Sequence, residues 1–161
     1  MNAGIFPMAL LCGATGLALS RLPRSSDAWR GLALLIASAL LASMLPISQQ
    51  YETLAFTGLW LSVAATAAFA IFPRVPTMRL EFPLAINAGV WAGGLAAVSS
   101  TKAGLALAFP FGLVFMLGQW LGRNGYGVAV KVLASWVIAI AMLAFFVTLI
   151  PTAGYEADHM E

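Results

Sequence analysis

The chain has 161 residues, 61% of them hydrophobic and only 9% charged, with a formal net charge of +2. An ordinary soluble domain carries roughly 25% charged residues, and so few charges cannot cover a water-soluble surface of this size. The composition excludes a soluble enzyme and points to an all-α, polytopic transmembrane helix bundle.

The apolar residues come in blocks at 3–20, 31–47, 54–72, 83–99, 104–121 and 130–150. About 17–25 apolar residues cross roughly 30 Å of hydrocarbon as a helix. Six spans are therefore expected in one integral membrane domain, residues 1–161, with a short tail at 151–161. A five-span alternative makes 83–121 one span plus a re-entrant piece. Transmembrane β-strands alternate polar and apolar residues, and these blocks do not.

The first block, "MNAGIFPMALLCGATGLALS", has its basic residues after it and not before it. A secretory signal has the reverse order, so the block is expected to be retained. It also contains Phe6-Pro7-x-Ala9-x-x-x-Gly13, and the fourth block opens with the same pattern, Phe82-Pro83-x-Ala85-x-x-x-Gly89, 76 residues later. The same shift pairs Trp60 with Trp136 and Phe69 with Phe145. Spans one to three would then match spans four to six, entering from opposite faces. Such inverted repeats occur in many transporter folds and place the substrate near the midplane. The alternative is ordinary helix-start chemistry, because proline in a first turn removes an N–H that has no partner anyway. Phe109-Pro110 occurs where no repeat predicts it.

The basic residues set the orientation. Arg21, Arg24 and Arg30 follow the first block, Arg74 and Arg79 follow the third, and Arg123 and Lys131 follow the fifth. Only Lys102 lies on the other side. Loops rich in Lys and Arg stay in the cytoplasm, so both termini are expected in the periplasm of a bacterial inner membrane. These cations read as topology anchors; no basic stripe with interleaved aromatics suggests nucleic acid. Trp29, Trp60 and Trp120, with Tyr51 and Tyr126, stand near span ends as interfacial aromatics do. Trp91 and Trp136 lie deeper and are expected between helices.

Small residues at every fourth position, Ala85, Gly89, Gly93 and Ala97, form one stripe of the fourth span. Such stripes let helices approach closely in lipid, where van der Waals contact replaces the hydrophobic drive. Ala9 and Gly13 offer a shorter version in the first span. Intramembrane ionisable residues usually carry function, and none is expected inside these spans; Lys102 is the nearest and reads as snorkelling to the interface. The polar candidates are Asn87 and Gln119, which need partners in lipid. They line a solute path or pair between helices, and Pro110 interrupts the fifth span.

Catalytic motifs are absent. Cys12 is alone in apolar surroundings, and His159 sits in the acidic tail with Glu156, Asp158 and Glu161, which reads as solvated and not as a metal site. "GRNGYG" at 122–127 has no strand before it, so it reads as a turn and not as a phosphate loop. No cofactor and no metal are expected. The expected function is a small transporter or channel-like protein for a neutral or weakly polar solute, with Asn87 surrounded by Gly89, Gly93 and Pro110. The alternative is a non-catalytic accessory or scaffold subunit of a larger inner-membrane complex. The implied partners are the bilayer and either other membrane subunits or further copies of the chain.

Overall fold

A computed structural model describes residues 5–22, 24–71, 80–99 and 102–149. Among these residues all regular structure is helical: α1 (Ile5–Leu19), α2 (Ser25–Ser43), α3 (Glu52–Ile71, led in by a 3₁₀ turn at Gln49–Tyr51), α4 (Glu81–Val98), α5 (Lys102–Ala108), α6 (Val114–Arg123) and α7 (Gly127–Leu149). A 3₁₀ segment, Phe109–Leu113, joins α5 to α6. Three helical rods are long and apolar enough to cross a bilayer, Gln49–Ile71, Gly104–Arg123 and Gly127–Leu149; α1 and residues Phe82–Val98 of α4 are apolar but shorter. The chain is a helix-bundle membrane protein.

Prolines and glycines set the boundaries. Pro7 and Pro83 each stand in the first turn of their helix, where no carbonyl awaits their missing N–H. The second helix lies earlier than the apolar block 31–47 implies. It begins at Ser25 and stops at Ser43 because Leu45 precedes Pro46, and the proline ring drives the residue before it out of the α region. Pro110 produces the 3₁₀ segment by removing a donor from the middle of an otherwise apolar helix. After α6 the Tyr126 amide donates to Leu121 O at 2.8 Å, and Gly125 has φ +81°. This is a Schellman closure that needs a left-handed residue, and it turns the chain directly into α7.

Two helix pairs pack closely and in parallel. Along α2 and α4, a Cβ on Gly89 would strike Ser38 Oγ and Leu35 O, and one on Gly93 would strike Ala39 O and, at 2.8 Å, Ala42 Cβ. Along α1 and the α5–α6 rod, a Cβ on Gly16 would lie 2.6 Å from Gly112 O and 3.1 Å from Phe115 N. One on Gly118 would lie 2.6 Å from Ser20 Oγ and 3.9 Å from Leu17 Cδ2. At Gly89, Gly93 and Gly16 the neighbours include backbone, an approach that only small residues permit, whereas Gly118 meets the side chains of Ser20 and Leu17. Between these pairs α3 packs against α1, α4 and α7. The largest core centres on α1, α3 and α4, with Met8, Leu11, Leu59, Trp60, Val63 and Leu95, and takes in Leu35 of α2, Leu105 of α5 and Ala141 of α7.

Arg21 fixes which ends lie together. Its Nε and Nη2 donate to Ala70 O at 3.1 and 2.6 Å, so the C-terminal ends of α1 and α3 meet, and Arg21 caps a carbonyl that the end of α3 leaves open. Arg24, Arg30, Arg123 and Lys131 belong to the same end of the bundle by the up-and-down order of the helices. Arg74 and Arg79 lie outside the described residues.

Candidate functional site

Helices α3 and α4 run antiparallel, and their contact repeats every four residues. Gly58 lies under the ring of Trp91, and one turn on Asn87 Nδ2 donates to Ser62 Oγ at 2.7 Å. Ser62 is buried while Asn87 remains exposed at the rim of the contact. One further turn along α3, Thr66 is fully buried and its hydroxyl has no hydrogen-bond partner among the described residues. The three positions form a short polar line through an apolar interface.

This geometry corrects the expected grouping around Asn87. Gly89 and Gly93 face the α2 backbone, whereas Asn87 faces α3. Two residues correspond to about 200° of helix rotation, so glycines two and six positions on lie on the other side. They close a helix contact and open no approach to Asn87. Ala85 is buried and Ala97 half-buried. Pro110 is exposed on the 3₁₀ segment. Gln119 is half-buried and lines clefts between α6, α2 and the end of α1. The structure does not gather Asn87, Gln119 and Pro110.

Three other positions differ from expectation. Gly13 meets nothing within 4 Å, while Gly16, which the fourfold pattern passed over, meets the neighbouring backbone. The partner of Gly16 is the 3₁₀ segment itself, at Gly112, with Phe115 just beyond it. Trp60 stands mid-helix and is 3% exposed, tilted on Phe6 and edge-on to Phe56, and is no interfacial residue; Trp136 is 68% exposed and does not pack between helices. Hydropathy gives depth along a helix but not the direction a residue faces.

Asp27 is the residue that sequence reasoning missed. It lies in the first turn of α2 and is 3% exposed; Oδ1 accepts from Arg30 Nη1 at 3.3 Å, and Oδ2 has no partner among the described residues. Its legible signal is the third position of a helix, where a carboxylate meets the positive end of the macrodipole. Reading α2 from residue 31 placed Asp27 in a loop.

At the arginine-rich end an open hollow of about 520 Å³ lies beside Arg30 and Phe82, and two clefts lie on either side of Gln119 and Arg123. The larger cleft, about 340 Å³, lies between α2 and α6 and is lined by Ser25, Trp29, Phe115, Met116 and Trp120 as well. The smaller, about 220 Å³, adds Ser20, Leu22 and Gly122. At the other end an apolar hollow of about 230 Å³ lies beside Ile47, Tyr51, Leu54, Val90, Trp91 and Gly94. Cys12 is fully buried in the core. Among the described residues no three His, Cys, Asp or Glu side chains come together as a metal site. Glu156, Asp158, His159 and Glu161 lie outside the described residues, and Lys102 opens α5. No family model, curated protein or solved structure matches the chain.

Proposed function

We propose that this chain is a six-span inner-membrane transporter or channel-like protein for a neutral or weakly polar small solute, built from two inverted units of three helices. The observation that supports it is one residue pair whose counterparts 76 positions away also meet, although Gly13, the counterpart of Gly89, meets nothing. Ala42 of α2 meets Gly93 of α4, and Gly118 of α6 meets Leu17 of α1. Adding 76 to 42 gives 118, and subtracting 76 from 93 gives 17, the step that also relates the two Phe-Pro motifs. The first and fourth spans each bind, in parallel, the second span of the other unit. In this reading the arginine-rich end is cytoplasmic and the termini periplasmic. Asn87 and Ser62 supply the hydrogen bonds that a passing solute exchanges with, at a depth where lipid offers none.

The accessory-subunit reading keeps one observation in its favour: α7 turns Trp136 and Leu143, both 68% exposed, outward. Proteoliposomes separate the two. After osmotic shrinkage, vesicles containing the protein should re-swell faster than empty ones with at least one of urea, glycerol or alanine, and Asn87→Leu should slow that entry about tenfold. A panel in which no neutral solute enters faster than through empty vesicles sinks the transport reading and leaves the accessory one.

A further inference from the structure

We infer that the cleft between α2 and α6 binds the headgroup of an anionic phospholipid in the leaflet at the arginine-rich end, with Arg123 and Gln119 holding the phosphate. The inference does not rest on the transport reading. The lining of the cleft changes in polarity with depth. Arg123 and Ser25 stand outermost, at the end of α6 and the start of α2. One turn deeper come Gln119 and Trp120 on α6 and Trp29 on α2, and another turn deeper Phe115 and Met116. An amphiphile has the same order: charged phosphate, polar ester region, hydrocarbon. A soluble anion would use only the outer third.

The walls are firm enough to shape a site. Trp29 packs edge-on against Phe115, with ring centroids 5.1 Å apart, and Phe115 is 1% exposed, so the two helices are pinned at the floor. Trp29 and Trp120 are about half exposed, 49% and 58%, and offer flat faces of the kind that sit at headgroup level. The charge is available. Asp27 is buried, engages Arg30 through Oδ1 and does not line the cleft, and Arg123, exposed at the end of α6, forms no ion pair among the described residues. The volume, about 340 Å³, accommodates a glycerophosphate headgroup and the first carbons of a chain. Basic pockets between helices at this level suit phosphate headgroups. A lipid seated there would wedge α2 against α6 and so clamp the two parallel helix pairs together.

The test uses the full chain in phosphatidylcholine vesicles and the fluorescence of Trp29 and Trp120, isolated as the difference between the parent and a Trp29→Phe/Trp120→Phe variant. Brominated phosphatidylglycerol should quench that difference signal with an apparent affinity about fivefold tighter than brominated phosphatidylcholine, the effect of one cation close to a charged headgroup. Arg123→Gln should remove the preference and Arg123→Lys should keep most of it. Lys131→Gln removes the same charge from the same end but lies outside the cleft, and should leave the preference intact. Equal quenching by the two lipids overturns the inference. Loss of preference in Lys131→Gln also overturns it, since the effect would then belong to net charge and not to a site. Release of the quench by excess inorganic phosphate overturns the lipid assignment in favour of a soluble phosphate compound.

Discussion

Helices α3 and α7 are alike as sequence and opposite as structure. Both are long and strongly apolar, yet 44% of the apolar 18-residue stretch in the rod Gln49–Ile71 is buried and only 11% of that in α7. Residues 76 positions apart show the contrast directly. Trp60 is 3% exposed and Trp136 68%; Ala67 is 0% and Leu143 68%; Ala70 is 0% and Phe146 55%. The cause is position in the bundle. Helix α3 occupies the notch between α1 and α4, and α7 packs on its outer side without a comparable contact to α4. In lipid both arrangements are allowed, because an apolar face loses little by meeting acyl chains instead of side chains. Equal hydropathy therefore does not imply an equal place, and only neighbours separate the helix that specifies the bundle from the one that covers it.

The contrast can be broken most forcefully at the tryptophans. Trp60→Ala should destabilise the protein by about 3 kcal/mol through the cavity left behind, whereas Trp136→Ala should stay within about 0.5 kcal/mol. Titration with a denaturing detergent, read by circular dichroism, measures both. Similar losses would mean that α7 is as central as α3.

A smaller difference is expected between Gly93 of the small-residue stripe on α4 and Gly13 of the shorter stripe on α1. Gly93→Ala presses a methyl group onto the Ala39 carbonyl and should cost roughly 2 kcal/mol, as overpacking against backbone does. Gly13→Ala meets open space and should gain up to about 1 kcal/mol from helix propensity. The same titration checks the sign, and a gain at Gly93 would show that the α2–α4 contact is loose.

The smallest effect concerns the hydrogen bond between α3 and α4. Asn87→Leu restores the residue type found 76 positions earlier, Leu11, and removes the donor to Ser62. Interhelical hydrogen bonds in membranes average about 0.6 kcal/mol, so the loss should be of that order. A stability change near 3 kcal/mol would instead assign Asn87 a structural role that outweighs any part in solute passage.

The legible part of the candidate site followed from residue chemistry, and the rest from geometry. Asn87 stood out because a carboxamide within an apolar block needs a partner, and its bond to Ser62 is such a partner. That Gly89 and Gly93 face away from it needed the identity of the neighbouring helix. Asp27 stayed hidden because the apolar block that marks α2 starts six residues after the helix does, at Gly31. The start is set by chain geometry at the end of the bundle, to which hydropathy is blind. Gln119 was visible as a polar residue near a helix end, but the clefts on either side of it exist only because α6 sits between α2 and the end of α1.

Composition and block length by themselves determined that this protein is a membrane-embedded helix bundle, because 9% charge cannot face water and apolar runs in lipid must close their hydrogen bonds within the helix. Local chemistry likewise determined the turns and breaks at Pro46, Pro110 and Gly125, where a missing N–H or a positive φ leaves the backbone little choice. Only the tertiary structure decided which face of each helix is inside. Lipid does not discriminate among apolar faces, so azimuth is set by where backbones approach closely, Gly89 and Gly93 on α2 and Gly16 on the 3₁₀ segment, and those approaches depend on partners more than fifty residues away in the chain.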